Sequence, residues 1–239
     1  GSREAIELRE HGFNQEILML EGFFEKYEVS IAAQLNIGVT LHNQEQLDLI
    51  LNERPKKPID IHLKVNTGMN RLGFLPEKVP YILKAISASP FIGKIVLMTH
   101  FSNADDAIGI SSQMNMFNTI KCNQLERSVA NSAALIRYPE SRLEWVRPGI
   151  MLYGASPFED TSAKKLDLAA VMTLKSKIIA IQTIKKGESV GYGSSFFAKT
   201  SMKIGIVACG YADGYPRHAE NGTPVMVNSI LTSTLGRVS

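Results

Sequence analysis

The sequence predicts an α/β fold: a β/α barrel of the (β/α)8 TIM type, followed by a mostly antiparallel β domain. Three observations predict it. From residue 3 to about 165, short apolar runs alternate with amphipathic stretches, which implies parallel strands joined by helices. Polar, glycine-containing motifs directly follow several of these runs, where such a barrel carries its functional groups. After about Leu166 the helical patterning stops, and β-rich runs separated by turn signals take over. The domains are expected at 1–166 and 167–239.

The elements follow in order. Arg3 to His11 reads as a helix, with Gly1-Ser2 set aside as an expression scar. Glu16 to Leu20 and Val39 to Leu41 read as strands. Asn43 caps a helix reaching about Asn52, with Gln46 at capping-box spacing. Ile59 to Val65 is a strand, Pro76 to Ser87 a helix with proline in its first turn, and Ile92 to Phe101 a long apolar strand. Ser112 to Leu125 is a helix; Ser128 to Asn131 and Glu144 to Val146 are short strands. These make six strand candidates, near residues 18, 40, 62, 97, 130 and 146. A closed barrel needs eight, so an amino-terminal piece holding two strands is expected outside this sequence. Ala170 to Ile184 reads as a long β run, followed by Ser201 to Ala208, Thr223 to Val227 and Ile230 to Leu235. Lys186-Gly187-Glu188, Asp213-Gly214 and Asn221-Gly222 supply the turns. This β domain too is expected to be partial.

Composition excludes several classes. Apolar residues make up 44% and charged residues 21%, which fits neither a disordered nor a fibrous chain. A net charge of +3 is too balanced for a nucleic-acid or membrane-surface footprint. No apolar run approaches the ~18 residues of a spanning helix, and no signal peptide is legible. Two cysteines, Cys122 and Cys209, fit a reducing, cytoplasmic setting. Cysteine and histidine spacing suggests no metal site, and no Walker or dinucleotide fingerprint occurs.

The motifs at the strand ends carry the chemistry. Lys64-Val65-Asn66-Thr67-Gly68-Met69-Asn70-Arg71 places two cations after a strand, and Arg71 can hold a carboxylate or phenolate. A solvated surface loop is the plainer reading. Thr99-His100-Phe101-Ser102-Asn103-Ala104-Asp105 ends the longest apolar strand, where a lone histidine can equally be a satisfied edge residue. Asn131-Ser132 and Arg147-Pro148-Gly149-Ile150 combine a hydroxyl, a glycine and free amides, a phosphate cradle or simple turn chemistry. Tyr192 lies between Gly191 and Gly193, on backbone that can approach another surface; a hairpin with a packed aromatic is the alternative. Gly210 to Arg217 is a loop with two aromatics that lines a channel or covers an edge.

Taken in order, these motifs resemble the alanine racemases. K-V-N-T-G-M-N-R-L-G-F, T-H-F-S-N-A-D, N-S-A, V-R-P-G-I-M-L-Y-G, G-Y-G and G-Y-A-D-G-Y follow the family's sequence of motifs over nearly the whole chain. The resemblance implies pyridoxal 5′-phosphate as cofactor, L- and D-alanine as substrates, and a head-to-tail homodimer whose active site is shared between subunits. It implies D-alanine supply for peptidoglycan in the cytoplasm. It makes Arg147 the arginine facing the pyridine nitrogen, Ser132, Gly149 and Ile150 the phosphate ligands, and Asn131 a further cofactor-binding residue. Arg71 corresponds to the arginine near the phenolic oxygen and the substrate carboxylate. His100 links Arg147 to the catalytic tyrosine, and Tyr192 is that tyrosine, serving the neighbouring subunit. Asp105, Tyr211 and Arg217 line the substrate path. Lys64 falls where many members carry a carbamylated lysine; the family's usual aspartate is Asn66 here, which leaves carbamylation open.

Racemisation takes a proton from one face of the α-carbon and delivers another to the opposite face, so it needs two bases, lysine and tyrosine in this family. Ionising a tyrosine of reference pKa about 10 at neutral pH costs about 4 kcal/mol, and a nearby imidazole and arginines lower that cost. The family's Schiff-base lysine motif, of the form V-K-A-N-A-Y-G, does not occur among these residues. The segment that follows G-R-V-S in the family is likewise not among them. The 239 residues as written are therefore expected to be inactive alone. Three other readings remain: a broad-specificity amino-acid racemase of the same fold, separable by substrate profiling; a non-catalytic pyridoxal-phosphate-binding protein or fragment; and a remnant serving only as a folded or interacting fragment. The β domain and Tyr192 argue against a non-catalytic pyridoxal-phosphate-binding protein, whose single-domain relatives lack both.

Overall fold

A computed structural model describes every residue except Asn123. The chain forms two units, Gly1–Met172 and Thr173–Ser239.

The first unit is a five-stranded parallel sheet in the order β1-β2-β3-β4-β5. Its strands are β1 (Ile17–Met19), β2 (Ile37–Leu41), β3 (Ile59–Lys64), β4 (Ile92–Met98) and β5 (Glu126–Ser128). Each strand pairs with its neighbour in sequence, the singly wound order of a barrel wall; a doubly wound sheet would reverse direction. The helices are α1 (Ser2–Glu10), α2 (Lys26–Leu35), α3 (Gln44–Glu53), α4 (Val79–Ser87), α5 (Ser111–Asn118) and α6 (Ser132–Arg137). On β3, Ile59, Ile61 and Leu63 are fully buried, while Asp60, His62 and Lys64 share the opposite face. That face is also closed for His62 and Lys64, so the strand is buried on both sides rather than alternating. Thr40 sits opposite His62 in the β2–β3 register, and Thr40 Oγ1 and His62 Nδ1 have no hydrogen-bond partner among the described residues.

Several expectations are corrected. Helix α2 has no counterpart in the sequence reading. Its buried face rests on Val29, Ala32 and Ala33 with Glu28, too slim an apolar stripe to stand out. Ser2, set aside as a scar, is the first residue of α1. Asn43 does cap α3, accepting from the Gln46 amide at 2.9 Å, but no capping box forms. Gln46 Oε1 instead accepts from the His42 amide at 3.0 Å. The helix expected over 76–87 opens as a 3-10 turn, Pro76–Lys78, before α4. Helix α5 stops at Asn118 instead of Leu125, because the Thr119 hydroxyl turns back onto the Met116 carbonyl at 2.7 Å. Strand β4 ends at Met98, not Phe101. β5 lies two residues ahead of Ser128–Asn131, since its register is set by Val96 to Met98; Asn131 is the cap of α6. The expected strand at 144–146 reduces to one bridge, Ser128 to Trp145.

The second unit is antiparallel throughout. β6 (Ile178–Ile184) pairs with β9 (Met202–Val207), β7 (Ser189–Val190) with β8 (Phe196–Phe197), and β10 (Pro224–Val227) with β11 (Ile230–Ser233). The run expected from Ala170 becomes a strand only at Ile178, where β9 offers a ladder. Asn228 and Ser229, at φ 48° and 68°, form the two-residue connection between β10 and β11, a hairpin turn of the type that needs positive φ at both positions. Among the described residues no helix is long and apolar enough to cross a membrane.

Candidate active site

The carboxyl ends of the parallel strands gather the charged motif residues. Lys64 closes β3 at 8% exposure, with no salt bridge or hydrogen bond from its ammonium among the described residues. Burial first, then the charges of Arg147 and Arg71, bring its pKa down to about 8. The loop after it is pinned. Asn66 donates its amide to the Phe74 carbonyl at 2.9 Å, and Phe74 donates to the Lys64 carbonyl at 2.9 Å. The Asn66 carboxamide accepts from the Gly68 and Asn70 amides at 3.1 and 3.0 Å, an Asx-type turn. Gly73, at φ 120°, leaves no room for a Cβ, which would fall 2.8–2.9 Å from backbone atoms of residues 64–66. Arg71, exposed on this loop, acts electrostatically on both Lys64 and His100.

Arg147 binds the strand ends together. Its Nη1 donates to Ser128 Oγ, and its Nη2 to the Thr99 and Val129 carbonyls and to His100 Nδ1, the last at 3.2 Å. An arginine can only donate, so His100 Nδ1 is the acceptor and the imidazole proton sits on Nε2. Burial, then Arg147, Lys64 and Arg71, hold the His100 pKa down at about 4. Burial lowers Arg147 to about 10, which leaves it cationic at neutral pH. The Arg147 Nε–H makes no hydrogen bond among the described residues.

Beside it, Asn131 caps α6 through the Ala134 amide at 3.0 Å and donates to the Phe101 carbonyl at 3.2 Å. Buried Ser132 accepts at Oγ from the Gly149 amide at 2.8 Å and the Met151 amide at 3.5 Å, leaving its own proton free to donate. Gly149 is exposed; a Cβ there would touch only Ser132 Oγ, at 3.9 Å. The Ile150 amide opens a 3-10 turn and makes no hydrogen bond among the described residues. Asp105 is exposed; among the described residues only its backbone carbonyl is bonded, to Arg137 at 3.1 Å.

Three expected residues belong to the second unit. Tyr192 is 66% exposed in the β7–β8 hairpin, between Gly191 and Gly193 at φ 71° and 72°. The hairpin alternative is correct for the backbone, but the aromatic is not packed. Tyr211 is exposed, with the Arg217 guanidinium 5.9 Å from its ring centroid. Sequence reading missed Thr67, Thr99, Gln113 and Ser128, which support the charged residues. A signal for Gln113 existed: an amide stands where the helical period of Ile110 and Phe117 calls for an apolar residue.

A parallel barrel-type sheet with a cationic, glycine-lined rim, followed by an antiparallel unit, defines the class. The chain belongs to the alanine racemase family: its N-terminal domain family matches residues 2–157 and its C-terminal domain family residues 171–239. Alanine racemase of Nitrosomonas eutropha is 49% identical over 98% of this chain and 67% of its own length. That of Thiobacillus denitrificans is 48% identical over 99% and 65%. The chain thus spans about two thirds of the length of these curated relatives. The crystal structure of the biosynthetic alanine racemase from Pseudomonas aeruginosa matches with a TM-score of 0.91 at 38% identity, over 99% of this chain and 67% of that one. The alanine racemase of Acinetobacter baumannii matches at 0.86 and 39%, over 99% and 68%. These neighbours share the TIM-type barrel and antiparallel β domain.

Proposed function

We propose that this chain provides the cofactor floor and the tyrosine base of an alanine racemase that interconverts L- and D-alanine with pyridoxal 5′-phosphate. One observation carries the reading: Lys64, Arg71 and Arg147 converge on His100 with no carboxylate paired to any of them among the described residues. Such a cluster suits a ligand that brings its own negative charge, here the phenolic oxygen of the cofactor and the carboxylate of alanine.

The donor set fits the cofactor. Ser132 and Ile150 would hold the phosphate with a free hydroxyl proton and an unbonded amide, while Asn131, as the cap of α6, and Gly149, through its amide on Ser132, shape the cradle around it. Arg147, with its unbonded Nε–H, would meet the ring nitrogen. Because it stays cationic, it donates without giving up its proton. When bound, the cofactor supplies the electron sink that acidifies the α C–H bond of alanine. Arg71 orients the substrate carboxylate. His100, bonded to Arg147 through Nδ1, offers its Nε2 proton to the tyrosine side. Tyr192 holds and moves the proton at its phenolic oxygen; its exposed ring supports service to the site of a neighbouring subunit in a homodimer. Asp105, Tyr211 and Arg217 line the substrate path. Lys64, with a neutral fraction near neutral pH, can add carbon dioxide, releasing a proton and forming a carbamate that offsets the arginines. The reading places D-alanine production for peptidoglycan in the cytoplasm.

The test is to load the full-length protein with pyridoxal phosphate and follow each alanine enantiomer by chiral chromatography. Conversion in both directions is expected, and none in either would end the proposal. Tyr192→Phe should lower racemisation by about 10²- to 10⁴-fold, and unchanged rates would remove Tyr192 from its role. Profiling against serine and larger amino acids separates an alanine enzyme from a broad-specificity one.

A further inference from the structure

Gln113 projects from α5 on the face that carries Ile110 and Phe117, and it is buried at 7% exposure. A buried amide is costly unless every polar atom is satisfied. Here all are, and not one bond goes to its own helix. Oε1 accepts from the Ser102 amide at 2.8 Å and the Ser102 hydroxyl at 3.0 Å. Nε2 donates to the His100 carbonyl at 3.1 Å and to Thr67 Oγ1 at 3.2 Å. A backbone amide can only donate and a carbonyl can only accept, so the amide orientation is fixed.

The bonds continue with one direction. Thr99 donates its hydroxyl to the Val65 carbonyl at 2.9 Å, so at 2.7 Å from Thr67 it can only accept. Protons therefore run from Gln113 to Thr67, from Thr67 to Thr99, and from Thr99 to Val65. The Thr99 carbonyl in turn receives Arg147. The Gln113 methylene at Cγ lies 3.8 Å from where a Cβ of Gly68 would stand, against the loop that carries Arg71. One side chain thus joins the loop after β3 to the loop after β4.

We propose that Gln113 is a positioning residue for the racemase reaction, its carboxamide holding the His100 segment and the Arg71 loop in one fixed relation so that the imidazole stays on Arg147. The proposal rests on the function proposed above. Its ligand-free consequence is independent of that reading: the tautomer of His100 depends on a residue that never touches the ring.

The experiment uses the full-length protein with ¹⁵N-labelled histidine, cofactor-free for the tautomer and cofactor-loaded for the kinetics, wild type beside Gln113→Met and Gln113→Glu, with His100→Gln to assign the signals. Wild type should show His100 with Nδ1 bare and Nε2 protonated across pH 5 to 8. Gln113→Met keeps the volume and removes the bonds. It should mix the two tautomers and lower kcat by about ten- to a hundredfold, with a smaller change in KM. If Gln113→Met does not fold, Gln113→Glu carries the test. It keeps the acceptor for Ser102, leaves the His100 carbonyl without its donor, and should raise the pH at which His100 titrates. A folded variant with the wild-type tautomer, titration and kcat would overturn the proposal, whatever its melting temperature. If wild type does not racemise alanine, the function fails, while the tautomer measurement still decides the role of Gln113.

Discussion

Two groups of charged side chains sit on the same parallel sheet and are built on opposite electrostatic terms. Near the amino ends of the strands, Lys94 pairs with Glu126 at 2.9 Å and lies 5.0 Å over the Trp145 ring. Glu126 also accepts the Trp145 indole N–H, and the Lys94 amide donates to Asp60 at 2.7 Å. At the carboxyl ends, Lys64, Arg71 and Arg147 face one another without a counter-ion among the described residues. A charge that already has its partner is finished structure. A buried charge beside like charges is held at a cost the fold offsets elsewhere, and it suits the ligand of opposite sign proposed above. His62 stands between the groups on β3, and burial, then Arg147 and Lys94, hold its pKa down at about 4.

This contrast can be broken at either end. The largest effect is expected for Arg147→Leu, which strips the donor from Ser128, Thr99, Val129 and His100 together. Unfolding in urea should show a loss of about 3 kcal/mol or more, along with loss of cofactor binding. Lys64→Met should act in the other sense. Removing a buried cation from between two others should raise the stability of the cofactor-free protein by about 1–3 kcal/mol while lowering activity. A lower urea midpoint would mean that Lys64 has a partner after all. Acid should act through the histidines. Their folded pKa values, about 4, lie below the reference value of 6.5, so the unfolded chain takes up protons first. Stability should be full above pH 6.5 and fall as pH drops toward 4, and His62→Phe should flatten part of that slope in thermal melts. The smallest effect belongs to Lys94→Met, since its ion pair is largely exposed: at most about 1 kcal/mol.

The barrel strands up to β4 were legible because each is a short apolar run ending at a polar motif. Helix α2 was not, because alanines bury little area and leave no stripe to read. β5 slid by two residues because Val129 and Ala130 look like strand, while its limits are set by the partner strand β4. The charged residues of the candidate site stood out in the sequence through the order of their motifs. Their supports were not: Thr67, Thr99 and Gln113 are ordinary polar residues in composition, and only burial and bond direction reveal that they join two loops.

Trp145 is the only tryptophan in the sequence, and it belongs to the first unit. Its indole and the His62 ring form a T-shaped pair, 5.4 Å between centroids. The protein therefore carries a built-in optical probe. Indole emission, excited beyond the tyrosine band, reports the parallel unit alone, and a protonated imidazole at that distance quenches it. Emission against pH is then a label-free record of the two titrating groups packed on the indole, His62 and Glu126, and Glu126→Gln separates the one from the other.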